Sequence, residues 1–160
     1  MLENDVYGLL AREAIRDLPA QYCDCVWRDD IEGLVSLFDQ EGTFYGVFNG
    51  IETTITGHDK LRDFYLSATD FMPRPYIHNH VVELLKSDYA KGRCYLDLRS
   101  ARNNMDWLGA GYYEDEYRLS SVGWKFQSRR FTALRMEELP AGIQTRVRLL
   151  DFCDAIVLFD

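Results

Sequence analysis

The amino-acid sequence predicts an α+β domain in which helices come first and a run of antiparallel strands follows. In the first third of the chain, apolar residues recur every four positions, as on one face of a helix. From residue 76 the period changes to two, which is typical of strands with one buried face. Helices followed by consecutive strands predict a helical layer on one face of a bent antiparallel sheet.

Three helices are predicted. The first carries an apolar stripe made of Leu10, Ala14, Leu18, Tyr22 and Val26. Pro19 lies inside this helix and should kink it, because proline removes a backbone hydrogen bond to the preceding turn. The second begins in "RDDIEGLVSLF" with Asp29 or Asp30 as its cap, and the third follows "TGHDKLRDFY" with Thr56 as its cap.

Four long strands are predicted from alternating Tyr, Phe, Val and Leu in "YIHNHVVELL", "GRCYLDLRSA", "GAGYYEDEYRL" and "WKFQSRRFTAL". A shorter strand is expected earlier, at "GTFYGVF". The chain of 160 residues suits a single domain, residues 1–160. Within it, the apolar tail 137–160 is predicted to pack on the sheet or on a neighbouring subunit.

Composition narrows the classes of function. With 47% hydrophobic and 14% aromatic residues, the chain predicts an ordered core or a cavity lined with rings. A net charge of −8 argues against a nucleic-acid partner. No apolar run is long enough for a membrane span, and the N-terminus lacks a secretory pattern, so a cytoplasmic protein with reduced thiols is expected. No phosphate-binding glycine loop or metal-ligand spacing is present, so no cofactor and no metal are expected.

Three stretches resemble the SnoaL-like branch of the NTF2-like superfamily: "REAIRDLPAQYCDCVWRDDIEGLVSLF", "NHVVELLKSDYAKGRCYL" and "GAGYYEDEYRLSSVGWKFQSRRF". The last is similar to the pattern Gly-x-Tyr-x-Asp-x-Tyr followed by Gly-Trp-x-x-x-x-Arg. The resemblance is nearest to dehydratase-type members (hexachlorocyclohexane dehydrochlorinase, scytalone dehydratase and bile-acid 7α-dehydratase). It implies a cystatin-like cone, with a bent sheet and three helices enclosing a pocket, and a homodimer or homotrimer.

The function that the resemblance implies is a lyase or isomerase that eliminates water or halide from a small hydrophobic, oxygenated molecule. Such chemistry needs a base near neutral pH, a carboxylate that orients it, and a donor for developing charge. The candidate catalytic residues are His78 and His80 as bases and Tyr22 and Arg129 as donors. Candidate substrate-binding residues are Trp27, Tyr45, Tyr76, Tyr95, Asp97, Tyr113 and Phe126; Phe44 is a further candidate for the pocket wall. The alternative is that these rings only fill a core.

The sequence departs from the family pattern at the dyad. Trp27 occupies the position of the catalytic Asp, and Pro75 the position of the His if Asn79 is the family's Asn. Strand alternation then puts His78 and His80 on the face opposite Asn79, and only a bulge near Pro75 would turn them inward.

Asp97 is the replacement carboxylate if its face of the strand points into the cone. The alternative for Asp97 is an outward position or a pair with Arg99. A non-catalytic function therefore stays open: a ligand-binding protein, or an assembly subunit like the β subunit of ring-hydroxylating dioxygenases.

Overall fold

Three helices and six strands form the computed structural model, which describes residues 2–48, 51–70, 72–101 and 104–137. The helices are α1 (Leu2–Arg28), α2 (Ile31–Ser36) and α3 (His58–Ala68). The strands are β1 (Phe38–Phe48), β2 (Ile51–Thr56), β3 (Arg74–Lys86), β4 (Tyr89–Arg99), β5 (Trp107–Ser120) and β6 (Gly123–Met136). The segment predicted to dock as a tail lies, from residue 138 onward, outside the described residues.

The strands form one open, curved sheet in the order β2-β1-β6-β5-β4-β3. Neighbouring strands are antiparallel except for β1 and β6, which run parallel. This parallel pair differs from the predicted all-antiparallel sheet. The chain reaches β6 only after β2, α3 and three further strands, so no hairpin fixes the direction of β6 relative to β1.

Helix α1 covers the inner face of the sheet, mainly over β3. Its buried row includes Ala11, Ile15, Leu18, Tyr22 and Val26. Leu10 and Ala14 are exposed, so the four-residue row is buried from Leu18 onward, and before it the buried positions are Ala11 and Ile15, which the sequence also assigns to the apolar stripe. A helix turns by 3.6 residues rather than four, so a stripe that keeps the four-residue step drifts off the buried face. The helix runs through Pro19 without ending there.

Of the two predicted candidates for the cap of α2 the structure selects Asp30, whereas the predicted cap of α3 differs from the structure. Asp30 caps α2, because its Oδ1 accepts a hydrogen bond of 2.8 Å from the backbone N–H of Gly33. Asp29 instead adopts a φ of 54° and forms an ion pair of 2.9 Å with Arg74. Gly57 precedes α3, while the hydroxyl of Thr56 lies 3.0 Å from that of Thr43 across the β1–β2 pair.

A bulge in β3 sets the direction of its side chains. Ile77 pairs with Leu96 and His80 pairs with Cys94, so β3 spends one more residue on this stretch than β4 does. Leu96 and Cys94 are both buried under the helices. The extra residue therefore turns His80 toward the helices and leaves His78 on the outer face. None of the helices in the described part of the chain has the length and hydropathy needed to cross a membrane.

Candidate functional site

A buried ion pair lies at the centre of the inner face. Asp115 of β5 and Arg129 of β6 are direct partners in the register of these strands, so their side chains leave the sheet side by side. The Nε of Arg129 donates to Oδ1 of Asp115 at 2.9 Å, and Nη2 donates to Oδ2 at 2.8 Å. Neither side chain has any exposed surface. A two-point contact of this kind fixes the plane of the guanidinium as well as its position.

Three aromatic rings enclose the other side of Arg129. Its Cζ lies 4.0 Å from the ring centre of Tyr113, 4.2 Å from that of Phe126 and 4.3 Å from that of Tyr22. These distances are within the range of cation–π contacts. The Nη1 atom is buried and has no hydrogen-bond partner among the described residues. Arg129 therefore holds one donor that the protein does not use.

The charge on Arg129 is maintained in this dry environment. Burial acts to lower the pKa of Arg129, but the attraction and hydrogen bonds of Asp115, with smaller contributions from Cys94 and Tyr113, outweigh it and raise the pKa well above its ordinary value. Burial raises the pKa of the neighbouring thiols of Cys23 and Cys94 to about 12, so both stay protonated. The interior thus contains one cation and one anion that neutralise each other.

His80 joins this pair through Tyr117. The hydroxyl of Tyr117 donates to Oδ2 of Asp115 at 2.8 Å, and Nε2 of His80 lies 3.1 Å from the same hydroxyl oxygen. Because the single proton of Tyr117 goes to the carboxylate, Nε2 of His80 carries the hydrogen and donates it to Tyr117. Burial lowers the pKa of His80, with Asp115 acting in the opposite direction. His80 is therefore a neutral donor within a buried network, and its Nε2 has no free electron pair for a substrate.

A small cavity of about 30 Å³ lies next to the ring cage. That volume holds roughly one or two water molecules. Most of its lining is apolar, and the polar part comes from the hydroxyls of Tyr22, Tyr65 and Tyr113. The other lining residues are Val26, Phe44, Met72, Pro73, Pro75, Leu98 and Phe131. Among the described residues, no carboxylate and no imidazole reaches its surface.

Two of the cavity tyrosines form a hydrogen-bonded pair. The hydroxyl oxygens of Tyr22 and Tyr65 are 2.9 Å apart. Burial raises the pKa of Tyr22 to about 12, even though Arg129 and the bond to Tyr65 lower it, and burial also raises the pKa of Tyr65 and Tyr113 well above the ordinary value. All three phenols therefore keep their protons at neutral pH and act as hydrogen-bond donors. Three helical or strand elements (α1, α3 and β5) position them.

Of the residues proposed from the sequence, the structure brings one group together on the inner face. Tyr22, Phe44 and Tyr113 line the cavity, and Arg129 and Phe126 lie directly behind it. Pro75, which the resemblance aligns with the family's His, also lines the cavity. The inner face therefore holds four of the proposed rings and the proposed guanidinium.

A second group of proposed residues lies elsewhere. Tyr76 and Tyr95 are 50% and 38% exposed on the outer face, and Tyr45 lies under the guanidinium of Arg130 there. Trp27 is half-buried at the end of α1, where its Nε1 donates to the carbonyl of Pro75 at 2.9 Å. Nε2 of His78 lies 3.1 Å from Oδ2 of Asp97 on the outer face. Asp97 thus takes the outward alternative left open by the sequence, with His78 rather than Arg99 as its partner.

Sequence reasoning missed Asp115, Tyr117 and Tyr65 as parts of the site. Asp115 and Tyr117 belong to the pattern Gly-x-Tyr-x-Asp-x-Tyr, and the two-residue period puts them on the same face as Tyr113. That spacing was a usable signal. Tyr65 had none, because it reaches the cavity from α3 through tertiary packing.

No group of three or more His, Cys, Asp or Glu side chains within the described residues is arranged to hold a metal ion. Cys23, Cys25 and Cys94 are free thiols. The chemistry available at the inner face is therefore hydrogen-bond donation from phenols and a guanidinium next to a small apolar space.

Removing one partner of the buried pair should destabilise the fold strongly. We expect Asp115→Asn to lower the free energy of unfolding by about 3 to 5 kcal/mol, because Arg129 would be left as an unpaired buried cation. The double variant Asp115→Leu, Arg129→Met should lose less than Asp115→Asn alone, because no charge remains buried. Urea denaturation of the three proteins measures both values. A double variant that loses more than the single one would show that the pair itself is a net source of stability.

His80 should make stability depend on pH in a defined direction. Its pKa is lowered in the folded state from an ordinary value of 6.5, so the unfolded chain takes up the proton first as the pH falls. The free energy of unfolding should therefore decrease as the pH drops below about 6.5. His80→Gln should decrease less over the same range, as measured by urea denaturation at several pH values. Parallel curves for the two proteins would contradict this.

Residues 8–130 match the family model for the SnoaL-like domain, and a comparison with curated proteins gives no significant match. An NTF2-like protein with a cystatin-like fold from Novosphingobium aromaticivorans is 19% identical, with a TM-score of 0.72 over 90% of this chain and 93% of the other.

Two further solved structures share the fold. Hexachlorocyclohexane dehydrochlorinase LinA-type3 from Novosphingobium barchaimii LL02 is 20% identical, with a TM-score of 0.71 over 86% of this chain and 95% of the other. A chain assigned as the β subunit of an aromatic-ring-hydroxylating dioxygenase from Novosphingobium aromaticivorans DSM 12444 is 20% identical, with a TM-score of 0.69 over 82% and 94%. At these identities the likeness concerns the fold, and it confirms the predicted cystatin-like α+β cone. The chain belongs to the SnoaL-like domain family.

Proposed function

We propose that the protein binds a small, largely apolar, oxygenated molecule in the cone and acts on it as a lyase or isomerase of the dehydratase type. The observation that carries this proposal is the hydroxyl pair of Tyr22 and Tyr65 at the surface of an otherwise apolar cavity. Buried hydroxyls of this kind are costly to a fold unless they are satisfied. One hydroxyl of the pair donates to the other, so the second hydroxyl has its hydrogen available for a ligand oxygen.

The chemical contribution of the pair is stabilisation of charge on that oxygen. When a proton leaves carbon beside a carbonyl, negative charge develops on the carbonyl oxygen, and a fixed donor in a dry site stabilises it. The guanidinium of Arg129 lies 4.3 Å behind the ring of Tyr22 and adds a positive field. Its unused Nη1 donor is a second group available to a ligand that displaces the surrounding rings.

The charge balance of the interior favours a neutral substrate. Asp115 already neutralises Arg129, and the phenols and His80 are uncharged at neutral pH. A carboxylate or phosphate entering this space would be a buried charge without a partner, which is strongly unfavourable. A neutral ketone or alcohol loses little solvation and gains the phenol donors.

The proton acceptor must differ from a histidine–aspartate dyad inside the cone. Among the described residues that line the cavity there is no imidazole or carboxylate, and Nε2 of His80 donates its hydrogen to Tyr117. A water molecule, for which the cavity has room, can carry the proton from the α-carbon to the departing β-hydroxyl, which then leaves as water. The proposal is therefore limited to substrates with an acidic α-proton and a hydroxyl on the β-carbon.

Substrate entry requires side chains to move. A pocket for a metabolite usually has several hundred Å³, roughly ten times the volume of about 30 Å³ found here. Met72 and the ring of Tyr113 are part of the wall that must move. Met72 suits this role because its unbranched side chain adopts several shapes at low cost.

A β-hydroxyketone tests the proposed function. We expect the protein to convert 3-hydroxycyclohexanone to cyclohexenone, followed by the ultraviolet absorbance of the conjugated product. Tyr22→Phe and Tyr65→Phe should each lower kcat/KM at least tenfold, because each removes a donor from the developing charge while keeping the ring. Tyr112→Phe on the outer face is the matched control and should keep the wild-type value. Equal rates in all four proteins, or a rate no higher than that in buffer, would remove the proposal.

A non-catalytic assembly subunit is the second candidate function. The outer face of the sheet favours it, because Tyr76, Val81 and Tyr95 leave 50%, 66% and 38% of their surfaces exposed. Beside them an open groove of about 560 Å³ is bordered by the ion pairs Arg93–Glu114 and Lys91–Glu116. Aromatic and aliphatic side chains next to charged pairs are typical of surfaces that meet another chain.

The assembly state separates the two candidates. An enzyme of this family is expected to be a stable homodimer or homotrimer when it is purified alone, as measured by light scattering after gel filtration. An assembly subunit should be monomeric and should unfold at low denaturant concentration, because its outer face lacks its partner. A stable homo-oligomer would therefore exclude the obligate-subunit function, and an unstable monomer would support it.

A further inference from the structure

His78 and Asp97 form a dyad on the outer face of the sheet, away from the cone. The Nε2 of His78 lies 3.1 Å from Oδ2 of Asp97, with the two side chains 52% and 35% exposed. The bulge in β3 produces this geometry, because it moves His78 out of the regular ladder while Tyr76 stays paired with Asp97. The strands of the sheet thus hold the dyad on a rigid base.

Trp107 holds the carboxylate in place. Its Nε1 donates to Oδ1 of Asp97 at 3.2 Å, so each carboxylate oxygen has its own partner. These two hydrogen bonds, that of Trp107 first and that of His78 second, lower the pKa of Asp97, which stays ionised. An ionised carboxylate only accepts hydrogen bonds, so Nε2 of His78 is the donor and Nδ1 keeps its free electron pair. The hydrogen bond to Asp97 therefore leaves Nδ1 as the ring nitrogen of His78 that can accept a proton.

The dyad borders a hollow with room for a ligand. The hollow has a volume of about 330 Å³ and is lined by Tyr76, His78, Asp97, Arg99 and Met105. Tyr76 is held from behind by Trp27, at 5.1 Å between ring centres, which leaves the phenol ring as a firm wall. Arg99 is close enough to lower the pKa of Asp97 by its charge. The lining thus combines a base, a cation, an aromatic ring and a thioether.

We propose that this hollow is a second site, at which His78 removes a proton from a small aromatic molecule and Arg99 binds the oxygen that becomes negative. Asp97 and Trp107 are positioning residues, since they act through His78. The ring of Tyr76 and the thioether of Met105 suit a flat aromatic ligand. Arg99 suits a phenolate-type oxygen, because a guanidinium donates hydrogen bonds to an oxygen anion. This inference does not depend on the proposed function of the cone.

The step is balanced without a cofactor. Nδ1 of His78 accepts a proton from an acidic C–H bond of the ligand, and the electron pair of that bond forms a new π bond. The bond to the leaving oxygen breaks, and its electron pair stays on that oxygen as a phenolate beside Arg99. The imidazolium that results is stabilised by the carboxylate of Asp97 and returns its proton to water.

The probe 5-nitrobenzisoxazole undergoes this step in one reaction. Removal of its C3 proton breaks the ring N–O bond and gives a coloured cyanonitrophenolate, whose appearance is followed by absorbance. We expect the full-length protein to be at least tenfold faster than free imidazole at the same concentration. His78→Ala should reduce the rate at least tenfold, and Arg99→Gln should raise KM, because the phenolate loses its cation.

Two variants complete the experiment. His58→Gln is the matched control. His58 lies at the start of α3, where its Nε2 contacts the backbone carbonyl of Phe38, so its substitution should leave the rate unchanged. Asp97→Asn preserves the size of the side chain and an acceptor for Trp107. The Asp97→Asn variant should move the acid limb of the pH–rate profile to lower pH, because the imidazolium of His78 loses the carboxylate that stabilises it. Asp97 and Arg99 are the charged groups that line the hollow with His78.

His78 is exposed, so its substitution should leave the buried core unchanged. A thermal melt of each variant checks that it is folded. A wild-type rate equal to that of free imidazole would overturn the proposal. So would equal rates in the wild type and in folded His78→Ala. An unchanged pH–rate profile in Asp97→Asn would overturn the role of the dyad. Failure here leaves the hydroxyketone result in the cone unaffected, since the two sites share no lining residue.

Discussion

The buried pair of Asp115 and Arg129 is the interaction on which the interior depends. Two neighbouring strands place the partners side by side, and neither charge has any contact with solvent. Each would be very unfavourable alone, so the fold is committed to keeping both. The rings of Tyr22, Tyr113 and Phe126 then pack on the guanidinium, and Tyr117 and His80 extend the network from the carboxylate. The buried pair therefore also positions part of the cavity wall, because the rings of Tyr22 and Tyr113 line the cavity.

The same pair also decides the electrostatic character of the cone. A lone guanidinium would attract anions, whereas a neutralised one leaves phenol donors and a local field. Burial keeps those phenols protonated by raising their pKa. The inner face thus presents phenol donors beside a cavity of about 30 Å³.

One extra residue in β3 divides the chemistry between the two faces of the sheet. It turns His80 inward, where Nε2 donates to Tyr117, and leaves His78 outward, where Nε2 lies 3.1 Å from Oδ2 of Asp97. The two histidines of one strand therefore lie on opposite faces of the sheet. A bulge adds one residue to a strand and thereby reverses the face on which the following side chains lie. A single inserted residue can therefore move a side chain from the core to the surface.

The order of helices and strands was predictable from sequence, because apolar periodicity reports directly which residues must be buried. The resemblance to the SnoaL-like family named the cone and implied Tyr113 and Arg129 as part of its lining. The parallel contact of β1 with β6 and the arrival of Tyr65 at the cavity depended on packing between distant segments. The faces of His78 and His80 depended on a bulge in β3 whose presence no local pattern specifies. The sequence by itself determined which side chains exist and their spacing along each element. Only the tertiary structure decided which of them meet, because the register between strands is set by the contacts of the whole sheet rather than by either strand alone.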